Sequence, residues 1–90
     1  MRIPEISPEL ALQRLSEGAV LIDVREPHER AGGMAEGARG IALADLQAAP
    51  ATHLPRLEQD ILLICQTGKR SADAAQFLHA AGYAQVASVA

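Results

Sequence analysis

The chain has 90 residues, which suits one domain and leaves no room for a second core. Apolar residues make up 49% of it, but Phe77 and Tyr83 are its only aromatics, so the core must be built from Leu, Ile, Val and Ala. Eight Lys and Arg against 11 Asp and Glu give a formal charge of −3, which lacks the basic footprint of a nucleic-acid or membrane-surface binder.

The elements follow in chain order. Ile3 to Ile6 reads as a short edge strand, a place where Pro4 is tolerated. Ser7-Pro8-Glu9 supplies an N-cap, a proline at the first helical position and an acidic first turn. Ala11, Leu12 and Leu15 then share a helical face, and Gly18 is the stop. Ala19 to Val24 is a nearly continuous apolar run, as expected of a strand buried on both faces of a parallel sheet.

Pro27 to Arg56 is punctuated by Gly and Pro and is expected to hold short helices, with Ile41-Ala42-Leu43 as a further strand candidate. Ile61 to Ile64 is a second buried strand and Val86 to Val89 a weaker third. Between them, Ser71 to Ala81 carries Ala74, Phe77, Leu78 and Ala81 on one helical stripe, closed by Gly82. Strand, loop, helix, strand is a βαβ crossover, so the fold class is α/β with a parallel sheet and packed helices.

No apolar run approaches the length of a membrane span, and Met1-Arg2-Ile3-Pro4-Glu5 lacks the apolar stretch of a signal peptide. A cytoplasmic location and no membrane association are the expectations. Cys65 is the one cysteine, which excludes an internal disulfide and a zinc site of paired cysteines. A lone cysteine is more often a small core residue than a nucleophile. Its surroundings argue otherwise.

Cys65 stands at the carboxyl end of a buried strand, where ligand sites of α/β sheets gather. Gln66-Thr67-Gly68-Lys69-Arg70 follows, and Ser71 opens the helix. A tight loop running into a helix N-terminus turns backbone N–H groups inward as an anion cradle. A thiol there is expected to have its thiolate stabilised by the helix dipole, Lys69 and Arg70. Gly68 allows the positive φ that such a loop often needs.

Cys65-Gln66-Thr67-Gly68-Lys69-Arg70-Ser71 resembles the active-site loop of rhodanese-family sulfurtransferases. Asp23-Val24-Arg25-Glu26-Pro27-His28-Glu29 resembles that family's earlier signature; Gly33, Gly37, Ala38, Gly82, Tyr83 and Val86 fit positions elsewhere. The resemblance implies a rhodanese-like fold, a small central parallel sheet flanked by helices on both faces. It also implies the chemistry: Cys65 takes the outer sulfur of thiosulfate or a persulfide donor and passes it to a thiophilic acceptor in ping-pong fashion. The loop backbone would cradle the persulfide, while Lys69 and Arg70 would help bind the anionic donor. No metal or other cofactor is called for. The partners implied are a small anionic donor and, in fused relatives, a sulfur-acceptor protein.

Members of that family continue with a paired glycine, a Trp and a final helix, whereas this chain stops at Ser88-Val89-Ala90. The expectation is a single domain over 1–90, truncated at its C-terminus and short of the last helix. Exposed apolar sheet surface would then cost about 25 cal/mol per Å² of burial forgone, and low stability or pairing with another surface is expected.

A cysteine phosphatase also uses a Cys–Arg loop, but its pattern has five intervening residues where this chain has four, and His where this chain has Ile64. A thiol–disulfide oxidoreductase would want a resolving thiol. A non-catalytic binding or regulatory module, or part of a sulfur-carrier-activating fusion, is the alternative of a different class. Asp23 and Arg25 are read as scaffold-organising groups beside the loop and are the secondary site candidates, Arg25 as the one that faces the pocket. Arg30 and His79 are expected to be exposed, and His28, His53 and His79 lack metal-ligand spacing.

Overall fold

The structure is a computed structural model that describes residues 3–90. Five parallel strands form one sheet: β1 Glu5–Ile6, β2 Val20–Asp23, β3 Arg39–Gly40, β4 Asp60–Ile64 and β5 Gln85–Val89, in the order β1-β5-β4-β2-β3. The helices are α1 Pro8–Ser16, α2 Pro27–Arg30, α3 Leu43–Ala48, α4 Pro50–His53 and α5 Lys69–Ala80. The expected α/β architecture is thus present, with the α5 crossover joining neighbouring strands β4 and β5.

Alternation along the strands divides the core between two faces. Ile22, Ile61, Leu63 and Val86 pack toward α3 and α5, meeting Leu46, Ala74, Ala75 and Leu78. Leu21, Leu62, Ala87 and Val89 pack toward α1, meeting Ala11 and the partly buried Leu15. The first face has the larger cluster, closed at one end by Tyr83, whose hydroxyl donates to the Leu54 carbonyl. On the second face a groove of about 200 Å³ remains between Leu12, Leu15, Leu21, Ile64 and Val89.

The helix ends follow local chemistry. Ser7 Oγ accepts from the Leu10 N–H at 3.1 Å, with Pro8 starting α1. In α2, Glu26 and Glu29 form a reciprocal capping box, so four residues hold a helical turn.

Two readings need correction. Ile41-Ala42-Leu43 is not a strand: pairing with β2 occurs at Arg39 and Gly40, and Leu43 starts α3. The apolar triplet is explained by burial, because Ile41 and Ala42 fill the core as the chain leaves the sheet edge. The crossover helix begins at Lys69 and not at Ser71, because Gly68, at φ 87°, serves as its N-cap. No described helix is long and apolar enough to cross a membrane.

Candidate active site

β4 is the middle strand of the sheet and its core residues Ile61, Leu62 and Leu63 are fully buried. That anchoring delivers Cys65 to the carboxyl edge. The chain must then reverse within Gln66–Gly68 before α5 can pack back on the sheet. Gly68 makes the reversal in the left-handed region, which a residue with Cβ enters only under strain.

The result surrounds the sulfur with donors. Cys65 Sγ accepts from the Gly68 N–H at 3.1 Å and the Ser71 N–H at 3.3 Å, and lies 3.5 Å from Ser71 Oγ. These N–H groups lie at the start of α5, where no helical carbonyl is available to them. Burial alone would push the thiol up. The Ser71 hydroxyl, together with the Ser71, Gly68 and Thr67 N–H groups, outweighs it and holds Cys65 below the ordinary thiol value. Cys65 is half-buried, so the residue keeps some contact with solvent while these donors favour its thiolate form.

The other loop residues divide by role. The side chains of Gln66 and Thr67 are exposed, and Thr67 reaches the sulfur through its backbone. Lys69 is exposed at the first position of α5. Arg70, expected beside Lys69 as a donor-binding cation, already has a carboxylate partner. Its Nη1 and Nη2 donate to Glu29 Oε1 and Oε2 at 2.6 and 2.8 Å. Arg70 pulls the Glu29 carboxyl down to about 2, and Glu29 raises Arg70 in return. Glu29 Oε1 also accepts from the Glu26 N–H at 3.0 Å, so the α2 capping box and the active loop share one carboxylate. Ser71 is fully buried.

Asp23 and Arg25 bond to each other. The buried Asp23 accepts from the Arg25 N–H, Nε and Nη2, the last at 2.8 Å, while Arg25 Nη2 also donates to the Gly33 carbonyl at 2.7 Å. Burial would raise the Asp23 carboxyl, but its bonds and charge attraction to Arg25 bring it below the usual range. The Val24 N–H donates to the Ile64 carbonyl, which ties this pair to the residue before Cys65. Arg30 is not simply exposed: its Nε donates to the Arg25 carbonyl and its side chain lies over Gly40. His79 is half-buried, and among the described residues no cluster of His, Cys, Asp and Glu is placed to hold a metal.

Two contributors were not singled out from sequence. Glu29 lies within the Asp23–Glu29 signature, but its partner is 41 residues away. Ser88 is a buried polar residue in an apolar strand, 2.7 Å from Ser71 Oγ. A polar residue interrupting Val86 to Val89 was the available signal.

The model of the rhodanese-like domain matches residues 7–90. This chain belongs to the rhodanese family. It is 36% identical over 84 residues to the thiosulfate sulfurtransferase GlpE of Pseudomonas entomophila, covering 93% of this chain and 75% of that protein. The human thiosulfate:glutathione sulfurtransferase is 36% identical over 93 residues, covering 89% of this chain and 81% of that protein. Among solved structures, the human single-domain sulfurtransferase TSTD1 superposes with a TM-score of 0.82 at 34% identity, covering 97% of this rhodanese domain and 88% of that chain. Reduced Bacillus anthracis CoADR-RHD superposes with a TM-score of 0.84 at 32% identity; the match covers 97% of this domain and only 15% of that chain.

Proposed function

We propose that this rhodanese domain is a sulfurtransferase in which Cys65 is the nucleophile and thiosulfate, or another anionic sulfane-sulfur compound, is the donor. The observation that carries the reading is the half-buried Cys65 sulfur held by the Gly68 and Ser71 N–H groups at the N-terminus of α5. The names of the relatives support the donor class. The Cys65 thiolate attacks the outer sulfur of thiosulfate; the S–S bond of the donor breaks, and sulfite leaves with its electron pair. The new Cys65 persulfide then yields its terminal sulfur to a thiophilic acceptor, a thiol or a protein, and the Cys65 thiolate is restored. The donors around the sulfur hold the thiol below its ordinary value, which favours the attacking thiolate before the donor arrives.

In this reading the loop N–H groups stabilise the anionic sulfur, Gln66 and Thr67 frame the approach, and exposed Lys69 attracts the anionic donor. Arg70 contributes charge while fixed in place by Glu29, and Asp23 with Arg25 holds the adjoining turn. The test is incubation with thiosulfate followed by intact-mass measurement. A gain of one sulfur atom, removed by cyanide and absent in Cys65→Ser, is the expected result. No sulfur uptake by folded wild-type protein would overturn the reading.

A further inference from the structure

Ser71 Oγ has three hydrogen-bond neighbours: the Gly68 carbonyl at 3.1 Å, Cys65 Sγ at 3.5 Å and Ser88 Oγ at 2.7 Å. A hydroxyl has one proton and two lone pairs, so three neighbours fill it, and their proton states constrain each other. The Gly68 carbonyl only accepts. When Cys65 is a thiol, Ser71 donates to that carbonyl and receives from the S–H and from Ser88. When Cys65 is a thiolate, no S–H remains, and the Ser71 proton has a charged acceptor to turn to. The Gly68 carbonyl keeps the Ala72 N–H at 3.1 Å, so it is not orphaned by that turn.

Ser88 is 2% exposed, on the face of β5 that meets α5, and among the described residues its hydroxyl has Ser71 Oγ as its hydrogen-bond partner. Either oxygen of that pair can donate; wherever Ser71 gives its proton to the Gly68 carbonyl or to Cys65, Ser88 is the donor. A donor on the far side of a hydroxyl polarises it and strengthens the bond it gives.

We propose that Ser88 is a positioning residue for Cys65: it supplies Ser71 with a standing donor, leaving the Ser71 proton free to stabilise the anionic sulfur. This deepens the sulfurtransferase reading, on which it rests, and places part of the thiolate's stabilisation one hydroxyl away from the loop. Arg70 on α5 is the charged group that acts on Cys65, and it is paired with Glu29 on α2, while the Asp23–Arg25 pair stands at the end of β2; substitution at Ser88 leaves all of them in place.

The test is the pH dependence of Cys65 alkylation by iodoacetamide in the wild type, Ser88→Ala, Ser88→Thr, Ser71→Ala and the Ser71→Ala/Ser88→Ala double variant. The Ser88→Ala profile is expected to move to higher pH, with alkylation at pH 7 slowed roughly threefold, less than one charged hydrogen bond is worth. Ser88→Thr keeps the hydroxyl and is expected to restore the wild-type profile. In the Ser71→Ala background, Ser88→Ala is expected to add nothing. A Ser88→Ala profile that superposes on the wild type, with the melting curve showing folded protein, overturns the proposal. So does an equal shift in the Ser71→Ala background. Alkylation reads the thiolate without any donor, so a failure here is separate from a failure of thiosulfate uptake.

Discussion

Glu29 and Arg70 meet through two bonds, at 2.6 and 2.8 Å, and join the four-residue helix α2 to the first turn of α5. The same carboxylate completes the α2 capping box. A bidentate pair of this kind fixes direction as well as distance, since the guanidinium fork matches the carboxylate in one plane. Arg70 follows Gly68 by two residues, so the clasp also restrains the loop that carries the sulfur's donors.

Glu29→Gln removes the charge and one acceptor oxygen while keeping the shape. The expected outcome is slower thiosulfate-dependent sulfur uptake, by roughly tenfold, because misplaced first-turn donors no longer converge on Cys65. Measured uptake equal to that of the wild type would leave the clasp without a role in catalysis.

The same pair sets an acid limit. Glu29 is held at about 2 in the folded protein against an ordinary value of 4.5, so the folded state favours its ionised form. The resulting stabilisation is complete above 4.5 and is lost as pH falls through about 2. Urea midpoints of wild type and Glu29→Gln should therefore differ at pH 6 and converge toward pH 2. A gap that stays constant across that range would contradict the assignment.

Gly68 has φ 87°, and a Cβ built there meets nothing within 4 Å. Any cost of Gly68→Ala is therefore backbone strain and not collision. It is expected to be about 1–2 kcal/mol in denaturant unfolding. The larger effect should be on chemistry, since relaxing φ swings the Gly68 N–H away from the sulfur and shifts the alkylation profile to higher pH.

How far this site was legible depended on sequence separation. Cys65 through Ser71 is one local loop, and its residue types together with the flanking strand and helix patterns disclose an anion cradle. Asp23 and Arg25 are two positions apart, so their mutual hydrogen bonds at the end of β2 are a local matter. The Glu29–Arg70 clasp spans 41 residues and the Ser71–Ser88 contact spans 17, so neither follows from a local pattern. The Ile41–Leu43 triplet misled for a related reason: apolarity records burial, and a buried segment leaving a sheet edge looks like a short strand until its hydrogen bonds are known.

Asp23→Ala should be costlier than loss of an exposed carboxylate, because Asp23 is buried between Ile22 and Val24. It removes the acceptor for three Arg25 donors and leaves that guanidinium with the Gly33 carbonyl. A loss of about 2 kcal/mol is expected from denaturant unfolding. A loss near zero would mean that solvent replaces the carboxylate.

Gly40→Ala tests the unexpected position of Arg30. The new methyl would overlap the Arg30 guanidinium and its Cδ, forcing that side chain off the Arg25 carbonyl. The expected cost is about 1 kcal/mol. In an Arg30→Ala background the same substitution should cost almost nothing, which a double-mutant cycle would measure.

Gly68, Ser71 and their N–H and hydroxyl groups occupy one side of the Cys65 sulfur. What they leave is the other side of the half-buried residue, a doorway at the carboxyl edge of the sheet. Under the proposed reaction, giver and receiver must use that doorway in turn, and the sulfur waits on the protein between visits. Such a domain behaves like a capacitor: its output is set by how long the charge can be held as well as by how fast it is delivered.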